Sequence, residues 1–154
     1  MNQFPAAITS DVTLWIRYID GQSGDNINAR CVLHGCFWDD DSSSIFYKTG
    51  QQVKNSVSLY IPLRKEVTGR RFVPAEEWAK MSYNELTECW TFNMRQLPLI
   101  VKGDNPFEFV QGTAGAVATQ ENQFLAENPS VRRAKDFNLQ DFGSVALRHA
   151  VIRA

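Results

Sequence analysis

Residues 56–63 read Ser56-Val57-Ser58-Leu59-Tyr60-Ile61-Pro62-Leu63. Val57, Leu59, Ile61 and Leu63 fall on one side of an extended chain; Ser56, Ser58 and Tyr60 fall on the other. This period of two predicts a strand with one face in a core and the other in water. The same period returns on either side. Val12, Leu14, Ile16 and Tyr18 alternate with Thr13, Trp15, Arg17 and Ile19. A polar turn over 21–26 separates that strand from a second, from about residue 28 to 38, rich in Cys, Val, Leu and Phe. Residues 39–44 (Asp-Asp-Asp-Ser-Ser-Ser) read as a polar break, and Ile45-Phe46-Tyr47 as the start of another strand. Further on, Trp90, Phe92 and Met94 alternate with Thr91, Asn93 and Arg95. Leu99–Lys102 follows the turn Gln96-Leu97-Pro98, which predicts a hairpin with Pro98 confined to a strand start. Residues 131–137 and a strand with Val145, Leu147, His149 and Val151 on one face predict a last hairpin, turning at 140–143.

Helical signals are few. Pro74 ahead of Ala75-Glu76-Glu77-Trp78 suits one helical turn. Ser82-Tyr83-Asn84-Glu85 has capping-box spacing. Residues 114–127 predict a helix or an arm that orders on binding, closed by Asn128-Pro129. Lys65 to Arg71 reads as a basic, glycine-containing loop. About eight short strands without a βαβ rhythm predict a mainly β fold, a small antiparallel β-barrel or sandwich with long loops and one or two short helices. A single β domain is expected over 1–154, with 1–10 as a flexible N-terminal arm and 112–130 as an insertion, helix or arm.

A chain of 154 residues is long enough to bury a core without metals or disulfides. Its 44% hydrophobic and 21% charged residues are globular proportions. A net charge of −1 excludes a basic nucleic-acid footprint over the whole surface. The N-terminus carries no secretory pattern and no apolar run reaches the roughly 18 residues of a membrane span, so a cytoplasmic start and no membrane partner are expected. Three cysteines without an export signal predict free thiols. Charge is uneven. Residues 11–45 carry six aspartates against two arginines, a balance of −4; residues 131–154 carry five basic against two acidic side chains, +3. Asp39, Asp40 and Asp41 on one side and Arg132 and Arg133 on the other are therefore candidate inter-subunit contacts.

Candidate chemistry is thin. Cys31, His34, Cys36 and Cys89 are possible zinc ligands. Strand alternation points Cys31 to one face and His34 and Cys36 to the other, so two converge, not three. Asp39–Ser44 lacks the alternating ligands and distant Glu of a calcium loop. Neither His34 nor His149 sits in a nucleophile or metalloprotease signature, and Gly21–Gly24 is not a phosphate loop. Trp15, Trp38, Trp78 and Trp90 suit core and interface positions, with a ligand platform as the sharper alternative. Arg64, Lys65, Arg70 and Arg71 cluster around Gly69 as a candidate contact to an acidic partner or to DNA backbone. No catalytic, cofactor or metal residues are expected, and the chain is read as not an enzyme.

Several fragments together carry a resemblance: 11–18 (Asp-Val-Thr-Leu-Trp-Ile-Arg-Tyr), 57–62 (Val-Ser-Leu-Tyr-Ile-Pro), 71–78 (Arg-Phe-Val-Pro-Ala-Glu-Glu-Trp), 90–92 (Trp-Thr-Phe), 100–104 (Ile-Val-Lys-Gly-Asp) and 143–149 (Gly-Ser-Val-Ala-Leu-Arg-His). In this order they resemble small virion proteins of tailed phages of Gram-positive bacteria, encoded near the head-to-tail connection. The chain departs from them at Ala150, where they tend to have Trp, and in apparent insertions over 79–88 and 112–130. The resemblance implies a structural neck protein, head-completion or stopper-like. Such a protein would form a ring of about 12 copies, joining a portal or adaptor ring above to tail proteins below and helping retain packaged DNA in the lumen. It would be made in the host cytoplasm and end in the virion. A tail terminator or other tail-interface protein is the neighbouring alternative. A ligand-binding β-barrel using Trp15, Trp38 and His34 is the alternative from another class.

Overall fold

The computed structural model describes residues 9–47, 50–141, 143–144 and 148–154, with side chains left undescribed over 41–55. The expected arm at 1–8, and Val145 and Leu147 of the last hairpin, lie outside the described residues; Thr9 and Ser10 already belong to the first strand. The fold is mainly β. Strands β1 (Thr9–Ile19), β2 (Asn26–Tyr47), β3 (Gly50–Pro62), β6 (Leu99–Lys102), β7 (Arg132–Arg133), β8 (Asp136–Gln140) and β9 (His149–Arg153) form one antiparallel sheet in the order β7-β6-β1-β2-β3-β9-β8. The short β4 (Arg71–Phe72) and β5 (Cys89–Trp90) pair in parallel beside it.

The sheet curls into a half-barrel, and the chain itself ties its two edges together. β7 lies at one edge and β8 at the other, yet only Ala134 and Lys135 separate them. The Ala134 amide donates to the Pro98 carbonyl at 2.9 Å, beside β6, and the Lys135 amide to the Arg153 carbonyl of β9 at 2.7 Å. Consecutive amides thus reach opposite edges, which satisfies backbone groups that an open sheet would expose.

β2 is the strand that turns the corner. Residues 26–37 pair with β1 and residues 37–47 with β3. The change follows a bulge: Ser10 faces Cys36 and Val12 faces Leu33, so three steps on β2 oppose two on β1. Gly35 makes this possible with φ +66, and a Cβ there would sit 2.6 Å from Val67 Cγ1. The bulge also resets alternation. Cys36 therefore joins Cys31 and Leu33 inside, all fully buried, which corrects the expectation that Cys31 and Cys36 face opposite ways.

Asp39–Ser44 does not break the strand. Each of its residues pairs with β3, from Asp39 with Ser58 to Ser44 with Val53. Pairing rests on backbone groups, which every residue but proline supplies in full, so polarity alone does not end a strand. The hairpin expected between 90–94 and 99–102 is also absent. Asn93 Oδ1 accepts the Arg95 amide at 3.0 Å, an Asx turn that stops the extended run. β5 then pairs with β4, and β6 with β1 and β7.

Two apolar cores flank β1. Val12, Leu14 and Ile16 face the concave side with Leu33, Leu59, Ile61, Ile100 and Ile152. Among the described residues four helices are present rather than one or two. α1 (Lys65–Thr68), α2 (Ala75–Trp78) and α3 (Tyr83–Leu86) lie in the segment that closes this core with Val73, Trp78, Leu86 and Trp90. The capping box expected at Ser82 and Glu85 forms reciprocally. On the convex side Trp15 packs with Leu99, Val101, Val131 and Phe124 under α4 (Ala114–Glu127). Val117, Glu121 and Phe124, at i, i+4 and i+7, are the buried stripe of α4.

Candidate functional site

The residues expected to meet a partner divide between the ends and edges of the barrel. Asp39 and Asp40 are exposed on β2 opposite Ser58 and Val57; Asp41 follows opposite Ser56, its side chain outside the described set. β9 borders β3 as far as Ser58, and the Ala154 amide and carbonyl bond Val57. Beyond that point, among the described residues, no third strand pairs with either edge of 41–47 or 50–56. The hairpin therefore leaves the barrel as a bare two-stranded ribbon of about 20 Å.

Arg132 and Arg133 do not act as a pair. They are consecutive on β7, opposite Ile100 and Leu99, and so point to opposite faces. Arg133 Nη2 donates to Glu121 Oε2 at 2.8 Å and Nη1 to the Leu97 carbonyl at 3.0 Å. Asn28 Nδ2 donates to Glu121 Oε1 at 3.1 Å, and Arg17 Nη1 lies 3.9 Å from Oε2. Glu121 is 3% exposed. A buried carboxylate needs counter-charge and donors, so Arg133 is committed inside the molecule. Of the two arginines, only Arg132 is left for a neighbour.

The basic cluster at 64–71 also divides. Arg64 Nε bonds Glu66 at 2.9 Å. Arg70 tucks inward, with Nη1 3.3 Å from the Cys89 carbonyl and 3.6 Å from Cys31 Sγ. Lys65 and Arg71 are exposed. Much of the expected loop is α1, ended by Gly69 at φ +86.

No constellation converges on metal or nucleophile chemistry among the described residues. No three His, Cys, Asp or Glu side chains there come together. Cys31, Cys36 and Cys89 are buried free thiols. Burial pushes the Cys31 thiol up to about 11, against the opposing pull of Arg70 and Arg30. Burial raises Cys36 as well, with Asp11 adding to it. His34 points outward and its Nδ1 sits 2.9 Å from Asp11 Oδ1. His149 is half-buried, its ring 6.0 Å from Tyr60. The tryptophans form no platform. Trp15 lies in the convex core, its Nε1 donating to the Phe107 carbonyl at 2.9 Å; Trp38 packs on the concave core. Trp15 pairs with Arg30 of β2, and Trp38 lies eight residues further along that strand, about 25 Å away if straight. The grouping of Trp15, Trp38 and His34 as one ligand site is overturned.

A feature that sequence reasoning missed lies at the opposite end from the ribbon. Two contiguous hollows, of about 260 and 480 Å³, share Tyr18, Ile27, Tyr83 and Leu86. Ile19 is 61% exposed and Tyr83 75% at their rim. Its one sequence signal was Ile19, an apolar residue on the wetter phase of β1 beside a polar turn.

A curled half-barrel sheet with a projecting two-stranded ribbon and a slot at its other end defines a small, mainly β protein. The chain belongs to a family of unknown function, DUF6751, which it matches over residues 7–154. No curated protein and no solved structure matches it. Among the described residues no helix is long and apolar enough to cross a membrane.

Proposed function

We propose that the chain is a structural protein of the tailed-phage neck, a head-completion or stopper-like subunit. It works as a ring between a portal or adaptor ring and the tail, and helps retain packaged DNA. The observation that carries this reading is the ribbon over 41–56. An isolated two-stranded hairpin is marginal in water, so one that leaves its sheet with neither edge paired to a strand among the described residues is suited to meeting another chain. The packed interior supports a scaffold over a ligand carrier: the inward positions of six strands are filled by apolar side chains. The fragments resembling phage connector proteins supply the setting. Lys65 and Arg71, at a loop end of the barrel, are suited to acidic partner surface or DNA backbone.

The test is genetic and visual. In a phage that encodes this chain, a nonsense allele is expected to give filled heads that lack tails and lose DNA. Particles made with wild-type protein are expected to carry it as a ring at the neck by electron microscopy. Normal tailed, infectious particles from the nonsense allele overturn the reading.

A further inference from the structure

Strand β1 loses a neighbour partway along. β6 pairs with it from Val12 to Trp15, and Pro98, which has no amide to give, stands where that ladder stops. On this side of β1 the Gly103 amide donates to the Asp11 carbonyl at 2.7 Å. Alternation then turns the amides and carbonyls of Arg17 and Ile19 the same way, away from β2. Among the described residues no strand pairs with them. A hollow of about 310 Å³ runs there instead, along residues 16–19, lined also by Ala75, Trp78 and Ala79 and by Thr91. A second, of about 390 Å³, shares Arg17, Arg95 and Gln96 with it and adds Met94 and part of α4. Ile19 in one hollow and Met94 in the other are exposed apolar side chains. Trp78 Nε1 and Thr91 Oγ1 are enclosed in the wall with no hydrogen-bond partner among the described residues. Such groups are costly, and a guest acceptor that parts the wall there satisfies them.

We propose that this groove binds an extended acidic segment of a partner protein, which adds a strand to the free edge of β1. Charge names the guest. Arg17, Arg95 and Arg133 line the two hollows against a single carboxylate, Glu121. Glu121 is buried and already held, 2.8 Å from Arg133 and 3.9 Å from Arg17. Arg95 is exposed and makes no ion pair among the described residues. Of the nearby charges, Glu76, Glu77 and Lys80 are exposed but outside the lining, and Asp20 lines the slot described above rather than this groove. The lining is therefore cationic, and carboxylates are its complement. The chain's own residues 1–8 hold no acidic side chain and include a proline, so charge does not direct them here. Backbone bonds to Arg17 and Ile19 fix the guest's register, and its alternate side chains fall to the arginines or to Ile19 and Met94. The groove lies at the end of β1 away from the ribbon and does not depend on the neck reading.

The experiment uses the full-length, isotope-labelled chain with a short peptide of alternating glutamate and leucine as the probe. Titration is expected to saturate, to shift the Arg17 and Ile19 amide resonances, and to weaken as salt is added. Arg95→Glu, a change at an exposed side chain, should weaken binding at least about tenfold. A twin peptide methylated at alternate amides should bind at least about tenfold more weakly too, because it cannot complete the ladder. No saturation at millimolar peptide overturns the proposal. Equal or tighter binding of a lysine–leucine twin overturns the acidic guest, and full binding of the methylated twin overturns strand addition. A spin label on Phe4→Cys that broadens the Ile19 amide in the free chain gives the edge to the chain's own first segment; the native thiols are buried and do not take the label. Self-association that both Arg95→Glu and Asp39→Lys abolish gives it to a second copy. Either result overturns the assignment to another protein.

Discussion

One strand, β2, has two environments. Residues 26–37 run beside β1 over two cores, and their order depends on what they bury: Cys31, Leu33 and Cys36 are fully enclosed. Residues 41–47 continue the same backbone with β3 as their one partner strand among the described residues. The first half is held by packing as well as pairing; in the second the structure describes the ladder to β3, whose hydrogen bonds contribute modestly in water. Substitutions in the barrel half should therefore change stability, and those in the ribbon half should change association.

The largest stability effect is expected from Leu33→Ala, a loss of about 2–5 kcal/mol by urea unfolding, because the concave core closes around it. A loss under about 1 kcal/mol would mean that the barrel half is not held by its core. Next comes Glu121→Ala, which leaves Arg133 and Asn28 without their acceptor below α4. Breaking a buried pair costs about 3–5 kcal/mol, and the partial exposure of Arg133 and Arg17 brings the expectation to about 2–3. Glu121→Gln, which keeps an acceptor for Asn28, should recover part of that loss.

The concave core was legible because alternation in 12–18 and 57–63 exposes it directly. The capping box at Ser82 and the helix at 114–127 were legible for the same local reason. What escaped was non-local. The bulge at His34-Gly35 reverses the phase of β2, and nothing in the spacing of Cys31 and Cys36 reveals a one-residue slip. The ribbon was hidden because Asp39–Ser44 reads as a polar break, whereas the ladder to β3 runs through it on backbone groups alone. Arg133 was read as a surface charge because its partner Glu121 lies twelve residues away on a helix whose buried face contains a carboxylate.

Two milder perturbations sharpen the comparison at the corner itself. Gly35→Ala places a side chain at φ +66 against Val67, and should cost about 1–3 kcal/mol with reduced assembly. If it is neutral, the bulge does not set the ribbon's direction. The buried thiols give a pH signature. Burial pushes the Cys31 thiol up to about 11 in the folded chain, against 9.0 for an ordinary thiol. Because the folded value is the higher one, the stability tied to the protonated thiol is intact below about pH 9 and declines as pH rises toward 11. Thermal unfolding from pH 7 to 11 should show that decline, and a Cys31→Ala, Cys36→Ala variant should flatten it. An unchanged slope would place the cause in other groups.

The smallest stability effect is expected from removing the ribbon. Ser43 lies opposite Lys54 in a hydrogen-bonded pair, since Val57 turns its amide and carbonyl to Ala154, so replacing residues 44–53 by Asn-Gly closes the hairpin with a two-residue turn in register. No buried contact among the described side chains is lost. The shortened loop also lowers the entropy of the unfolded chain slightly. Urea midpoints of the trimmed and parent chains should therefore agree within about 1 kcal/mol. Association should behave in the opposite way, with the trimmed chain absent from assembled rings although its barrel is intact. A trimmed chain that unfolds would show that the ribbon supports its own barrel, and the contrast between the halves of β2 would collapse. A trimmed chain that is stable and still enters rings would leave the contrast in stability and deny the ribbon its role in assembly.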